Sequence, residues 1–209
     1  LSALCNRYLL ILLLVAPLLS CGDTGAIKKP DIDPEASSAK AFELFDKNSD
    51  NLLTDEELKL APGLAEGKSR ADTDSNGALS AEELSTRIQT WNESIERLVC
   101  PELEVRFNGR IVPNAIVTFE PEPFLTDWLE TKQTRTDDVG RCSPKISREL
   151  PGMNMGYYRV KVSLEVGGKE RIPKEYNEQS QLGVEFCTDR PIEENYLIEI
   201  ELGKSKRRR

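Results

Sequence analysis

No histidine occurs anywhere in the 209 residues. That absence removes both the commonest general base near neutral pH and the commonest metal-ligating nitrogen. Triads and dyads built on histidine, and histidine zinc sites, are excluded with it. Aromatic side chains make up only 6 % of the chain, so any stacking platform for a ring-shaped ligand rests on a few residues such as Trp128, Tyr157 and Tyr176. Basic charge is in short supply: 28 Lys and Arg face 36 Asp and Glu, a net charge of -8. Nucleic acid is not expected as a partner, because its binding depends on Lys and Arg displacing counterions from phosphates. No apolar run reaches the roughly 20 residues a membrane-spanning helix needs.

The longest apolar run, Tyr8 to Leu19, follows Arg7 and has the length of an export-signal core. It ends in Leu18-Leu19-Ser20-Cys21-Gly22, which resembles the bacterial lipobox. The resemblance implies cleavage before Cys21, with lipidation of that cysteine as the new amino terminus. The alternative reading is a plain secretory signal or an uncleaved anchor. The expected organisation is a leader over residues 1–20, a flexible linker over 21–34, a helical unit over 35–98, a β unit over 99–203, and a solvated basic tail over 204–209. The expected location is the cell envelope, tethered to a membrane on the periplasmic or exterior side.

The most informative segments are two acidic twelve-residue stretches. Ca²⁺ takes six to eight oxygens, and a loop that wraps it presents positions 1, 3, 5, 7, 9 and 12, with a sharp turn at 6. In the second stretch Asp72, Asp74 and Asn76 supply side-chain oxygens at 1, 3 and 5. Gly77 turns the chain, Ala78 offers its carbonyl, Ser80 stands at 9, and Glu83 closes the site at 12. In the first, Asp46, Asn48 and Asp50 hold 1, 3 and 5, Leu52 offers its carbonyl, Thr54 stands at 9 and Glu57 at 12. Position 6 there is Asn51, a residue that tolerates the left-handed conformation. These are EF-hand loops by pattern, and Ca²⁺ is the expected cofactor. The family resemblance implies that Leu53 and Leu79, at position 8 of each loop, join the loops through a short backbone bridge. Ala39, Phe42 and Phe45 are expected to bury one face of the helix leading in; Leu84, Ile88, Trp91 and Ile95 are expected to do so on the helix leading out. Pro62-Gly63 and Gly67 in the connector predict that both middle helices are short.

From Glu102 onward the period changes to alternation. Tyr158, Val160, Val162, Leu164 and Val166 fall on one face and Arg159, Lys161, Ser163 and Glu165 on the other, with Gly167-Gly168 ending the strand. Ile198, Ile200 and Leu202 alternate with Glu199 and Glu201. Asn108-Gly109 reads as a hairpin turn and Asp137 to Gly140 as another, giving about seven short strands. The expected class is α+β in two domains, an all-α EF-hand pair followed by an all-β immunoglobulin-like or prealbumin-like sandwich. The runs Val105 to Gly109, Val112 to Phe119, Thr136 to Gly140, Pro151-Gly152 with Tyr158 to Val162, and Ile172 to Asn177 resemble the carboxypeptidase-regulatory-like, transthyretin-like domains of bacterial surface lipoproteins. Those domains usually carry Gly where this chain has Asn114. The resemblance implies spacing, adhesion or partner binding without chemistry.

Cys100, Cys142 and Cys187 fall in this half, where an oxidising envelope permits bridges. Cys142 with Cys187 is the preferred pairing, and buried free thiols are the other reading. Catalysis is not expected: Glu120 with Glu122 and Glu193 with Glu194 are the available carboxylate pairs, and solvated acidic loops account for both. The expected role is a calcium-dependent structural or interaction module that meets an unidentified envelope protein or glycan. The alternative is carbohydrate binding or service to an enzyme through the β unit.

Overall fold

The computed structural model describes residues 28–148, 150–190 and 198–203. The leader, Cys21, the first part of the linker, the basic tail, Glu193 and Glu194 lie outside the described residues. Among the described residues no helix is long and apolar enough to cross a membrane.

The helical half comprises α1 (Pro34–Phe45), α2 (Asp55–Leu58), α3 (Pro62–Ala71) and α4 (Ala81–Glu93). Asp33 caps α1 by accepting the Ala36 amide at 2.9 Å, with Pro34 at the first position, where no N–H is needed. Ser80 and Glu83 form a capping box on α4. The face that α1 buries is only partly the expected one. Ala39 is exposed and Phe42 half-buried, while Ser37, Ser38, Ala41 and Phe45 face inward. The two serines are tolerated because their hydroxyls are satisfied by backbone carbonyls, Ser37 by Asp33 at 2.6 Å and Ser38 by Ala81 at 2.8 Å. On α4, Leu84, Ile88 and Trp91 are buried as expected, but Ile95 lies past the helix end and is 93 % exposed, because Ser94 turns to an extended ψ of 136°. Only α2 is short; α3 runs for ten residues with Pro62 at its start.

Among the described residues the β half has ten strands: β1 (Leu103–Phe107), β2 (Arg110–Ile111), β3 (Ile116–Pro121), β4 (Lys132–Arg135), β5 (Arg141–Cys142), β6 (Gly156–Ser163), β7 (Glu165–Val166), β8 (Lys169–Glu170), β9 (Leu182–Phe186) and β10 (Ile198–Leu202). One four-stranded sheet runs β10-β1-β2 with β5 also on β1, and the other runs β4-β3-β6-β9. Pairing is antiparallel except between β1 and β10, which are parallel. Asn108 and Gly109, at φ 52° and 76°, make the β1–β2 turn, and Asn114 at φ 62° also takes the left-handed conformation, which asparagine tolerates. The inward alternation of Tyr158, Val160 and Val162 holds, but β6 ends at Ser163 and Val166 is exposed. Gly167 and Gly168 therefore turn the separate β7–β8 hairpin rather than ending β6.

The Cys142–Cys187 bridge is not formed. Cys142 sits on β5 in one sheet and Cys187 just beyond β9 in the other, both as buried free thiols. Burial pushes each thiol up to about 12.

One continuous core joins both halves. Leu53, Leu64, Leu79, Ile88 and Trp91 of the helical half belong to the same buried cluster as Leu103, Val105, Val117, Phe119, Tyr157 and Val160 of the sheets. The seam is backbone against backbone. A Cβ on Gly183 of β9 would lie 1.9 Å from the Pro62 carbonyl oxygen, and one on Gly63 would lie 2.6 Å from the Tyr158 amide nitrogen. Here glycine is a requirement of close approach rather than of turning.

Glu122 lies in this seam, fully buried rather than in a solvated loop. One of its oxygens accepts the Gly63 amide at 2.7 Å near the start of α3, and the other has no partner. Glu120, by contrast, pairs with Lys161 at 2.7 Å. Burial raises the Glu122 carboxyl from 4.5 to about 7, against the opposing pull of the Gly63 amide and the Arg159 charge. The folded chain thus holds a proton that the unfolded chain releases between those values, so this contribution to stability is full below 4.5 and lost as pH rises through about 7. Glu122→Gln keeps the acceptor and cannot ionise. In saturating calcium the variant is expected to match the parent near pH 4.5 and to exceed it at about pH 8 by up to ~3 kcal/mol in urea unfolding. Parallel pH profiles would contradict this assignment.

Candidate metal centre

Each loop is shaped by its own polar atoms. In the second, Asp72 accepts the amides of Asn76 and Gly77 at 3.1 and 2.9 Å. Asn76 accepts the Ala78 amide at 2.8 Å and donates to Asp74 at 2.8 Å. The first loop repeats this: Asp46 accepts from Ser49 and Asn51 at 2.7 and 3.0 Å, and Asp50 accepts from Leu52 and from the Asn48 amide group, each at 2.9 Å. Asn51 has φ 63° and Gly77 φ 84°, so asparagine does hold the left-handed turn at position 6. Ser49 and Ser75, at position 4, share φ 59°.

The loops are tied back to back. The Leu53 amide donates to the Leu79 carbonyl at 2.8 Å and the Leu79 amide to the Leu53 carbonyl at 3.0 Å, an antiparallel bridge. Both side chains are fully buried. The bridge and the shared leucine packing fix one loop relative to the other.

The closing glutamates are held in the same way. Glu57 accepts the amide and hydroxyl of Thr54 and the Lys47 amide; the Thr54 amide is foremost in keeping its carboxyl below the ordinary range. At Glu83 burial works against ionisation, and the amide and hydroxyl of Ser80 with the amides of Asp74 and Thr73 outweigh it. Both glutamates are therefore carboxylates at neutral pH, the form that coordinates a hard cation. Ligand oxygens of Asp72, Asp74 and Glu83 lie within 4.8 Å of one another. That is the spacing of oxygens able to share one ion, and with the carbonyl of Ala78, Ser80 and Asn76 the donor set is all oxygen. In the first loop the second aspartate, Asp50, stands at position 5 rather than 3, and Asn48 carries the oxygen at position 3.

The structure also shows charged residues at the seam that the loop pattern does not announce. Glu185 of β9 is fully buried and accepts Arg70 Nε at 2.5 Å, Arg87 Nε at 2.7 Å and Trp91 Nε1 at 3.2 Å. One signal was available in the sequence: Arg87 falls on the apolar stripe of Leu84, Ile88 and Trp91, where a charge needs a buried partner. The proposed aromatic platform fares less well. Tyr157 is wholly interior, stacked edge-on to Trp91 at 4.8 Å, and Trp128 and Tyr176 are half-buried against the core.

A family model described as EF hand matches residues 39–60 and 69–88, the two spans that hold the loops with parts of their flanking helices. The chain carries two EF hands, the calcium-binding type of loop. No curated protein and no solved structure matches this chain.

Proposed function

We propose that this chain is a calcium-binding envelope protein, tethered to a membrane through a lipid on Cys21, in which calcium is structural and the β half presents a surface to another envelope component. The observation that carries the reading is the pair of oxygen-lined loops joined at Leu53 and Leu79. Asp46, Asn48, Asp50, the Leu52 carbonyl, Thr54 and Glu57 would hold one ion, and Asp72, Asp74, Asn76, the Ala78 carbonyl, Ser80 and Glu83 the other. Bound Ca²⁺ supplies charge that offsets the clustered carboxylates. The residues themselves do the positioning: Asn51 and Gly77 turn the loops, and Thr54 and Ser80 start the outgoing helices.

The tether rests on the sequence from Arg7 to Gly22, and the non-catalytic role of the β half on its likeness to carboxypeptidase-regulatory-like domains. Of the described glutamates considered for acid–base work, Glu120 pairs with Lys161 and Glu122 is buried beneath α3 away from solvent.

Calorimetric titration of the protein with CaCl₂ tests the reading. Two sites are expected, with dissociation constants of about 10⁻⁴ to 10⁻³ M, the range of extracellular modules, and little change in exposed apolar surface. Sub-micromolar binding with a large gain in dye-accessible apolar surface would instead mark a sensor.

A further inference from the structure

The second loop is entered from α3 and left through α4, and an arginine on each helix reaches the same carboxylate. Arg70 stands two residues before Asp72, and Arg87 four residues after Glu83. Their Nε atoms meet the two oxygens of Glu185, at 2.5 and 2.7 Å. Around this centre Arg87 also grips Asp189 through both terminal nitrogens at 2.5 and 2.8 Å. Glu66 of α3 accepts the Glu185 amide at 2.7 Å, Arg70 at 2.8 Å and Arg190 at 2.8 Å. Three arginines thus balance three carboxylates across α3, α4 and the end of β9.

We propose that Glu185 is a positioning residue for the second calcium loop: by holding Arg70 and Arg87 it fixes the angle between α3 and α4, so that calcium occupancy of that loop and seating of the helices on the sheet are coupled. This rests on the calcium reading given above. An EF-hand sensor responds by opening the angle between its helices. Here opening α3 from α4 would pull at least one arginine off a fully buried carboxylate and leave a charge without its partner. The loop is consequently held near its binding arrangement, consistent with the oxygens of Asp72, Asp74 and Glu83 already lying within 4.8 Å of one another. A ligand site that needs no rearrangement binds more tightly than one that must first be assembled. By reciprocity, calcium in the loop strengthens the seating of β9 against α3. The first loop lies between α1 and α2, which carry neither arginine, so the effect falls mainly on the second and reaches the first only through the Leu53–Leu79 bridge.

The test uses the full chain in detergent, with Glu57→Gln isolating the second loop and Glu83→Gln isolating the first, each with and without Glu185→Gln. Calcium affinity is read by calorimetry and seating by amide hydrogen exchange in β9. Glu185→Gln is expected to weaken the second loop by about 10-fold, ~1.4 kcal/mol, to leave the first within about 3-fold, and to abolish the slowing of β9 exchange that calcium produces in the parent. Equal weakening of both loops, or an unchanged second loop, overturns the coupling. A parent that takes up no calcium sinks the calcium reading itself. Should Glu185→Gln fail to fold, Arg87→Lys keeps the charge while losing the two-pronged grip, and it must weaken the second loop by at least about 3-fold more than the first.

Discussion

Gly183→Ala is expected to lower the melting temperature by about 6–12 °C, the consequence of losing at least ~3 kcal/mol in a chain of this size. The added methyl would sit 1.9 Å from the Pro62 carbonyl oxygen, 2.1 Å from its carbon and 2.4 Å from the Gly63 nitrogen. All three are backbone atoms of the first turn of α3 and cannot rotate aside. Relief requires α3 to lift from β9, which would expose Leu64 and strain the contacts of Arg70 and Glu66 with Glu185. Gly168→Ala is the matched control: nothing lies within 4 Å of its added methyl, and only the positive φ of 72° is penalised, at ~1 kcal/mol. Thermal melts of the two variants in saturating calcium make the comparison. A Gly183→Ala protein that melts with the parent would show that the seam is looser than the backbone contacts describe.

Glu83→Gln is expected to weaken calcium binding at the second loop by about 100-fold, within the span over which ligand charge tunes such loops. It removes the charge at position 12 and puts an amide group where an oxygen should face the ion. The Ser80 amide and hydroxyl lose one of their acceptors at the start of α4 in the same change, so a modest loss of metal-free stability, about 1 kcal/mol, should accompany it. Calorimetric titration should then count one site of the original affinity. Two undiminished sites would remove Glu83 from the ligand set.

The loops were legible from the chain because coordination geometry forces residue type onto fixed spacing: Asp72, Asp74, Asn76, Gly77 and Glu83 leave few other readings. The Leu53–Leu79 bridge was implied by the resemblance to paired EF-hand loops, and the left-handed Asn51 by the tolerance of asparagine for that conformation. The strands were legible where one face is buried, as at Tyr158 to Val162, and misread where a hairpin breaks away at Glu165. What the sequence hid was the seam. Gly63, Gly67 and Gly183 look like turn or connector glycines until the opposing backbone is present. Arg87 falls on the apolar stripe of α4, but its partner Glu185, 98 positions away, looks like solvated surface until both are placed inside. Ser37 and Ser38 disguised the buried face of α1 because a serine that bonds a nearby carbonyl carries no apolar signature. Local pattern thus revealed the two EF-hand loops, while the proposed coupling of the second loop to the sheet depends on contacts remote in sequence.

Because helices and sheets share one core, calcium should stabilise the whole folded unit rather than the helical half alone. The most direct measurement is thermal unfolding of the protein in excess calcium and again in excess chelator. Two loops filled at about 100 times their dissociation constants contribute ~5 kcal/mol together, so a single cooperative transition about 10–20 °C higher in calcium is the predicted result. Coincident melting curves in calcium and in chelator would contradict structural calcium outright.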